Sequence, residues 1–145
     1  MNTKLMFSSK TDEWETPQTF YEMLDKEFGF TLDPCSTDDN CKCSRHFTKA
    51  DNGLDQSWGG ETVFCNPPYG RAISSWVQKA YSEWAINGAE VVMLLPARTD
   101  TKWFHDYIYN RAEIRFIKGR LKFGGCKHNA PFPNMIVIFR RLKTA

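Results

Sequence analysis

Two runs of the chain, Val91-Val92-Met93-Leu94-Leu95 and Met135-Ile136-Val137-Ile138-Phe139, contain no polar residue at all. A strand with one face in water alternates apolar and polar side chains, whereas a run apolar throughout needs both of its faces covered. Helical patterns that would cover them lie on either side. Ile73, Trp76, Val77, Ala80 and Trp84 fall at i, i+3, i+4, i+7 and i+11, one face of a helix ending near Asn87-Gly88. Thr16 before Pro17 reads as an N-cap and first helical position, followed by Phe20, Tyr21, Leu24 and Phe28 and a stop at Gly29.

Shorter elements complete the alternation. Phe30 to Leu32 is an extended run that delivers Asp33-Pro34, Thr62 to Cys65 is β-prone, and Ile114 to Lys118 reads as another strand. Asp100 is placed to cap a short helix through Trp103, Phe104, Tyr107 and Ile108, while residues 35 to 61 are polar and turn-rich without a regular pattern. Strand, loop, helix, strand in succession predicts an α/β sandwich with a mostly parallel sheet. In such sheets ligands bind beyond the carboxyl ends of the strands, where Asp33, Asn66 and Pro96 fall.

With 145 residues, no repeat and no linker, the chain is expected to be one minimal domain, flexible over residues 1 to 12 and folded over 13 to 145. Hydrophobic residues at 41% exclude a disordered or fibrous chain, and apolar runs of five residues are far below the ~20 needed to span a bilayer. No secretory segment is read at the start, so a soluble intracellular protein is expected, its five cysteines reduced. Charge is unevenly divided. Residues 1 to 60 hold six Lys and Arg against eleven Asp and Glu, and residues 61 to 145 hold thirteen against six. If the basic half folds onto one face it suits phosphates; scattered surface charge gives the same totals.

Asn66-Pro67-Pro68-Tyr69 is the segment richest in chemistry. Consecutive prolines fix two φ angles and donate no hydrogen bonds, so the carbonyls of Asn66 and Pro67 are rigid acceptors. An amide, an aimed carbonyl and an aromatic ring in one short loop suit a planar ligand with an amino group, which the oxygens accept from and Tyr69 stacks upon. Read only as a strand stop, the same residues would leave Tyr69 packed on the surface.

Phe64-Cys65-Asn66-Pro67-Pro68-Tyr69 resembles the catalytic motif of S-adenosylmethionine-dependent amino methyltransferases. The order of Trp14-Glu15-Thr16-Pro17, Phe28 to Asp33, Asp51-Asn52-Gly53-Leu54 with Trp58, Leu94 to Thr101, and Gly119 to Phe123 is similar to small phage DNA N-6-adenine methyltransferases, over about residues 13 to 139. The resemblance implies a Rossmann-like three-layer sandwich and methyl transfer to adenine N6 in DNA. Asn66, Pro67, Pro68 and Tyr69 then form the catalytic loop, with the base flipped out of the duplex. It also implies that Trp14, Thr16, Pro17, Asp33, Pro34 and Asp51 border the cofactor, although Thr16-Pro17 serves equally as a helix cap and Asp51-Asn52-Gly53 as a turn. The glycine-rich turn of larger methyltransferases is missing after Asp33, and no acidic ribose clamp stands out beyond Asp38 and Asp39. A phage- or prophage-encoded member works in the cytoplasm of its bacterial host.

Arg71, Arg98, Lys102, Arg120 and Lys122 flank the expected mouth and suit DNA phosphates, or are plain solvated charge. Cys35, Cys41, Cys43 and His46 lie close in sequence, but their spacing fits no standard knuckle and no metal is assigned. His105 and His128 are not needed as bases, and Trp76, Trp84, Trp103 and Phe104 read as core. Two other functions use the same residues: methylation of a protein glutamine amide, and a nucleic-acid binding module that has lost its cofactor. Only Arg140 to Ala145 follow the last strand, so no separate target-recognition domain is expected; sequence preference then rests on loops, on a homodimer, or is short.

Overall fold

The computed structural model describes residues 14–124 and 128–143; the expected flexible segment 1–12 and Cys126 lie outside the described residues. Helix α1 spans Gln18–Phe28, strand β1 Thr62–Cys65, helix α2 Ile73–Asn87, strand β2 Glu90–Pro96, strand β3 Glu113–Phe116 and strand β4 Asn134–Phe139. A 3₁₀ turn at Gly53–Asp55 and a π-helical turn at Phe104–Ile108 complete the set. Among the described residues no helix is long and apolar enough to cross a membrane.

The sheet order is β1-β2-β4-β3. β1 and β2 are parallel, as the intervening helix α2 dictates. β4 runs antiparallel to both of its neighbours, β2 and β3. The expectation of a mostly parallel sheet is therefore corrected: one of the three strand pairs is parallel. Physically, residues 117 to 133 join β3 to β4 without a helix among the described residues, so adjacent strands return antiparallel. β1, β2 and β3 nevertheless point the same way, and β4 alone is inverted. Beyond β1, Leu32 pairs in parallel with Val63, the trace of the short strand expected at Phe30 to Leu32.

Register shows which face each helix covers. Val63, Val91 and Phe139 are aligned across the sheet, and Phe139 meets Tyr81 and Trp84 of α2 at ring distances of 6.2 and 5.2 Å. Phe64, Val92 and Ile138 form the opposite row, and Phe64 meets Tyr21 of α1 at 5.2 Å. The two helices thus cover opposite faces, which is why β2 and β4 are buried at nearly every position. α1 ends where the sequence indicates: Gly29 takes φ 69° and its N–H bonds to the Asp25 carbonyl.

The segment from 34 to 61 has little regular structure yet is tightly anchored. Asp33 is 3% exposed, and its carboxylate accepts the N–H of Lys42 at 2.9 Å and of Cys35 at 3.3 Å, closing the loop on itself. Trp58 is fully buried, stacks on Trp76, donates its indole N–H to the Gly53 carbonyl at 3.0 Å, and gives its backbone N–H to the buried Glu83 carboxylate. Gly53 sits where a Cβ would lie 2.1 Å from the Pro34 carbonyl oxygen, so only glycine lets this turn seat against residue 34. Gly53→Ala is expected to cost about 1–3 kcal/mol in urea unfolding, the usual range for overpacking.

Burial pushes the Asp33 carboxyl up to about 6 from 3.8, despite the two N–H donors that favour the charge. The folded chain therefore holds this proton more tightly than the unfolded chain. The resulting stability is fully present below pH 3.8 and is lost as pH rises through about 6. A carboxyl NMR titration is expected to place the Asp33 midpoint near 6, and Asp33→Asn to flatten the stability profile between these values.

Candidate active site

Because β1, β2 and β3 share a direction, Cys65, Pro96 and Phe116 end at one edge of the sheet, where β4 begins at Asn134. Asn66-Pro67-Pro68-Tyr69 leaves β1 at this edge. The Asn66 Nδ2 donates to the Trp14 carbonyl and, at 3.0 Å, to the Thr16 hydroxyl. A carbonyl can only accept, so these bonds fix which end of the amide is the nitrogen. The Asn66 Oδ1 is left as a buried acceptor with no hydrogen-bond partner, a condition it shares among the described residues with Asn134 Oδ1.

The segment beginning at Trp14 is thus tied to the loop after β1, 50 residues later in the chain. Thr16 is 5% exposed and its hydroxyl faces Asn66; the N-cap position belongs to Pro17, with no side-chain cap bond. The expectation of a Thr16 cap is corrected for that reason. The hydroxyl has a tertiary partner in place of the backbone N–H it was expected to satisfy.

Tyr69 is 3% exposed and its hydroxyl donates to the Leu94 carbonyl at 3.0 Å. Its ring is covered by Phe132 at 5.5 Å and Phe123 at 6.3 Å, both edge-on. Trp14 meets the same two phenylalanines at 5.2 and 5.4 Å. The open stacking surface expected of Tyr69 is therefore occupied by the chain's own rings. Phe132 carried no functional signal in the sequence beyond its place between Pro131 and Pro133, and Phe123 was visible only as the end of Gly119 to Phe123.

Beside Thr16 lies a surface cleft of about 340 Å³, lined by Glu15, Thr16, Pro17 and Gln18, by Asp39 to Lys42, and by Gly124. Carboxylates and an amine line it together. Asp33 and Pro34 are buried beneath the loop that forms one wall, and they support the cleft without lining it. Asp51 accepts from the Thr48 N–H and hydroxyl at 2.9 and 3.1 Å, closing a local turn outside the cleft. Those bonds hold its carboxyl below the usual range.

The sulfur and imidazole groups near this cleft are engaged separately. Cys43 Sγ lies 3.5 Å from the Tyr21 hydroxyl, and His46 bonds Asp38 and the Ser44 carbonyl, both at 2.9 Å. Among the described residues no group of three His, Cys, Asp or Glu side chains is arranged to hold a metal ion.

Arg71, Arg98, Arg120 and Lys122 are exposed on the three connections at this end of the sheet, and Lys102 is exposed in the helical turn that follows Arg98. Lys102 is engaged with Asp106 at 2.5 Å. His105 is exposed and its Nε2 lies 2.7 Å from the Thr99 carbonyl; His128 is also exposed. Trp76, Trp103 and Phe104 are buried and Trp84 is half-buried, as expected of core residues.

Residues 3–145 match the family described as DNA N-6-adenine-methyltransferase (Dam). A DNA N-6-adenine-methyltransferase of Haemophilus phage HP1 (strain HP1c1) is 32% identical over 146 residues, covering 95% of this chain and 82% of the relative. A DNA N-6-adenine-methyltransferase of Escherichia phage T1 is 34% identical over 112 residues, covering 76% of this chain and 46% of the relative. With a match over almost its whole length and a relative of this identity, the chain belongs to the DNA N-6-adenine-methyltransferase (Dam) family.

Proposed function

We propose that this protein transfers a methyl group from S-adenosylmethionine to the N6 amino nitrogen of adenine in DNA, with Asn66-Pro67-Pro68-Tyr69 receiving the flipped base. The observation that carries this reading is the Asn66 amide. Both of its nitrogen's bonds go to Trp14 and Thr16, and its oxygen is a buried acceptor without a partner. An unpaired buried acceptor is costly, and an exocyclic amino group is the donor that satisfies it. The sheet, with three strands pointing one way, β4 inverted and a helix on each face, is read as a minimal Rossmann-like methyltransferase sandwich.

The cleft beside Thr16 fits the cofactor in kind: Glu15, Asp39 and Lys42 offer both charges to a zwitterionic amino acid, and its volume lies at the lower end for small-ligand sites. Trp14, Thr16 and Pro17 would border the end nearest Asn66, with Asp33 and Pro34 holding the loop behind. When bound, the cofactor's sulfonium supplies an electrophilic methyl and departs as a neutral thioether.

The chain's own residues prepare the nitrogen. Adenine N6 is a weak nucleophile because its lone pair is delocalised into the ring. Accepting hydrogen bonds from its two N–H groups at Asn66 Oδ1 and the Pro67 carbonyl draws the nitrogen toward a tetrahedral, lone-pair-bearing geometry. Fixing it there supplies the proximity contribution, and the proton displaced on methylation leaves to solvent. Base entry requires the Phe132 ring to swing from the face of Tyr69. Arg71, Arg98, Lys102, Arg120 and Lys122 would hold phosphates around the mouth.

Incubation with labelled cofactor and adenine-containing DNA, followed by nucleoside analysis, is expected to yield N6-methyladenine. Asn66→Ala is expected to lose at least about 100-fold in turnover while calorimetric cofactor affinity changes little; full turnover would refute the assignment. For DNA affinity, replacing Arg98 or Arg120 with Gln is expected to reduce the slope of log affinity against log salt by about 0.9 for each phosphate left without its cation. An unchanged slope removes that residue from the DNA surface.

A further inference from the structure

We infer that Asn134, the first residue of β4, is a positioning residue that acts through the hydroxyl of Tyr69. This inference rests on the reading of the Asn66–Tyr69 loop as the site that receives adenine. Every other residue of β4 is apolar, and Asn134 is 1% exposed, so an amide has been placed where the strand otherwise carries hydrocarbon. Its Oδ1 is buried with no partner, a penalty the fold could avoid with leucine of similar size. Packing alone does not account for it.

Its hydrogen bonds do account for it. Asn134 Nδ2 donates to the Leu95 carbonyl at 3.1 Å and to the Tyr69 hydroxyl at 3.3 Å, and that hydroxyl donates onward to the Leu94 carbonyl at 3.0 Å. Leu95 O can only accept, which fixes the nitrogen end of the amide, and Tyr69, having donated to Leu94, accepts from it. The end of β2, the start of β4 and the loop after β1 are joined through one phenol oxygen. Tyr69 lies two residues beyond Pro67, so the direction of its ring and of the Pro67 carbonyl are set together. Asn134 would act on the base only through Tyr69, the side chain whose hydroxyl it holds.

The test compares Asn134→Leu, Tyr69→Phe and the double variant as full-length proteins. Readouts are methylation kinetics and the emission of a duplex carrying 2-aminopurine as target base, which is quenched by stacking on an aromatic face. Asn134→Leu is expected to lower kcat by about 100-fold, the scale of a misplaced reacting group, with the cofactor KM and melting temperature little changed. The variant complex is expected to emit more brightly than the wild type. In the Tyr69→Phe background the Asn134 substitution is expected to cause no further loss. Should Asn134→Leu fail to fold, Asn134→Ala removes the amide without added bulk and carries the same expectation. Losses that multiply in the double variant, or wild-type kcat in the Asn134 variant, overturn the inference. Asn66→Ala separates the two levels: if it retains turnover the site reading falls and this inference with it, whereas an inactive Asn66→Ala beside multiplying losses overturns the role of Asn134 alone.

Discussion

β2 is hydrogen-bonded along both edges and covered on both faces, and the placement of the candidate site follows from that enclosure. A strand so enclosed leaves its neighbours no choice of position. β1 must enter parallel because α2 carries the chain back over one face, and β4 fills the remaining edge antiparallel. The loops after β1 and β2, and the segment that joins β3 to β4, therefore meet at one end of the sheet. The Asn66–Tyr69 loop, Arg98 and Phe132 come from separate parts of the chain and meet at that end.

Convergence brings these residues together, and the amide orientations give the candidate site its polarity. At Asn66 the nitrogen is held by Trp14 and Thr16, and at Asn134 by Leu95 and Tyr69, each leaving a buried oxygen without a partner. Buried polar groups are normally satisfied, so two exceptions, one in the loop after β1 and one at the start of β4, leave unpaired polarity at the end of the sheet where the proposed chemistry needs it. The aromatic rings of Phe123 and Phe132 cover Tyr69, and Trp14 packs on both of them from outside.

Most of the core was legible in the sequence. The helical spacing from Ile73 to Trp84, the stop at Gly29 and the unbroken runs at Val91 and Met135 all found their elements, because periodicity and apolar continuity are local properties. The direction of β4 was not legible: a run buried on both faces looks the same read either way. The segment from 34 to 61 was also opaque. Its order comes from Asp33 capping two backbone N–H groups, from Gly53 pressed on residue 34 and from Trp58 held by Glu83, none of which has a periodic signature.

For the site, the division is chemical. Asn66-Pro67-Pro68-Tyr69 announced itself, since two prolines between an amide and a phenol limit the backbone before any folding occurs. Local pattern was enough for the α/β layering, the rigid loop at the end of β1 and the family to which the motif order points. Long-range packing was needed to set which end of the Asn66 amide faces inward, to turn Thr16 toward Asn66 in place of capping α1, to cover Tyr69 with Phe123 and Phe132, and to bring Asn134 to its hydroxyl. Hydrogen-bond orientation at Asn66 and Asn134 depends on partners 39 to 65 residues away, and no local pattern in the chain records them.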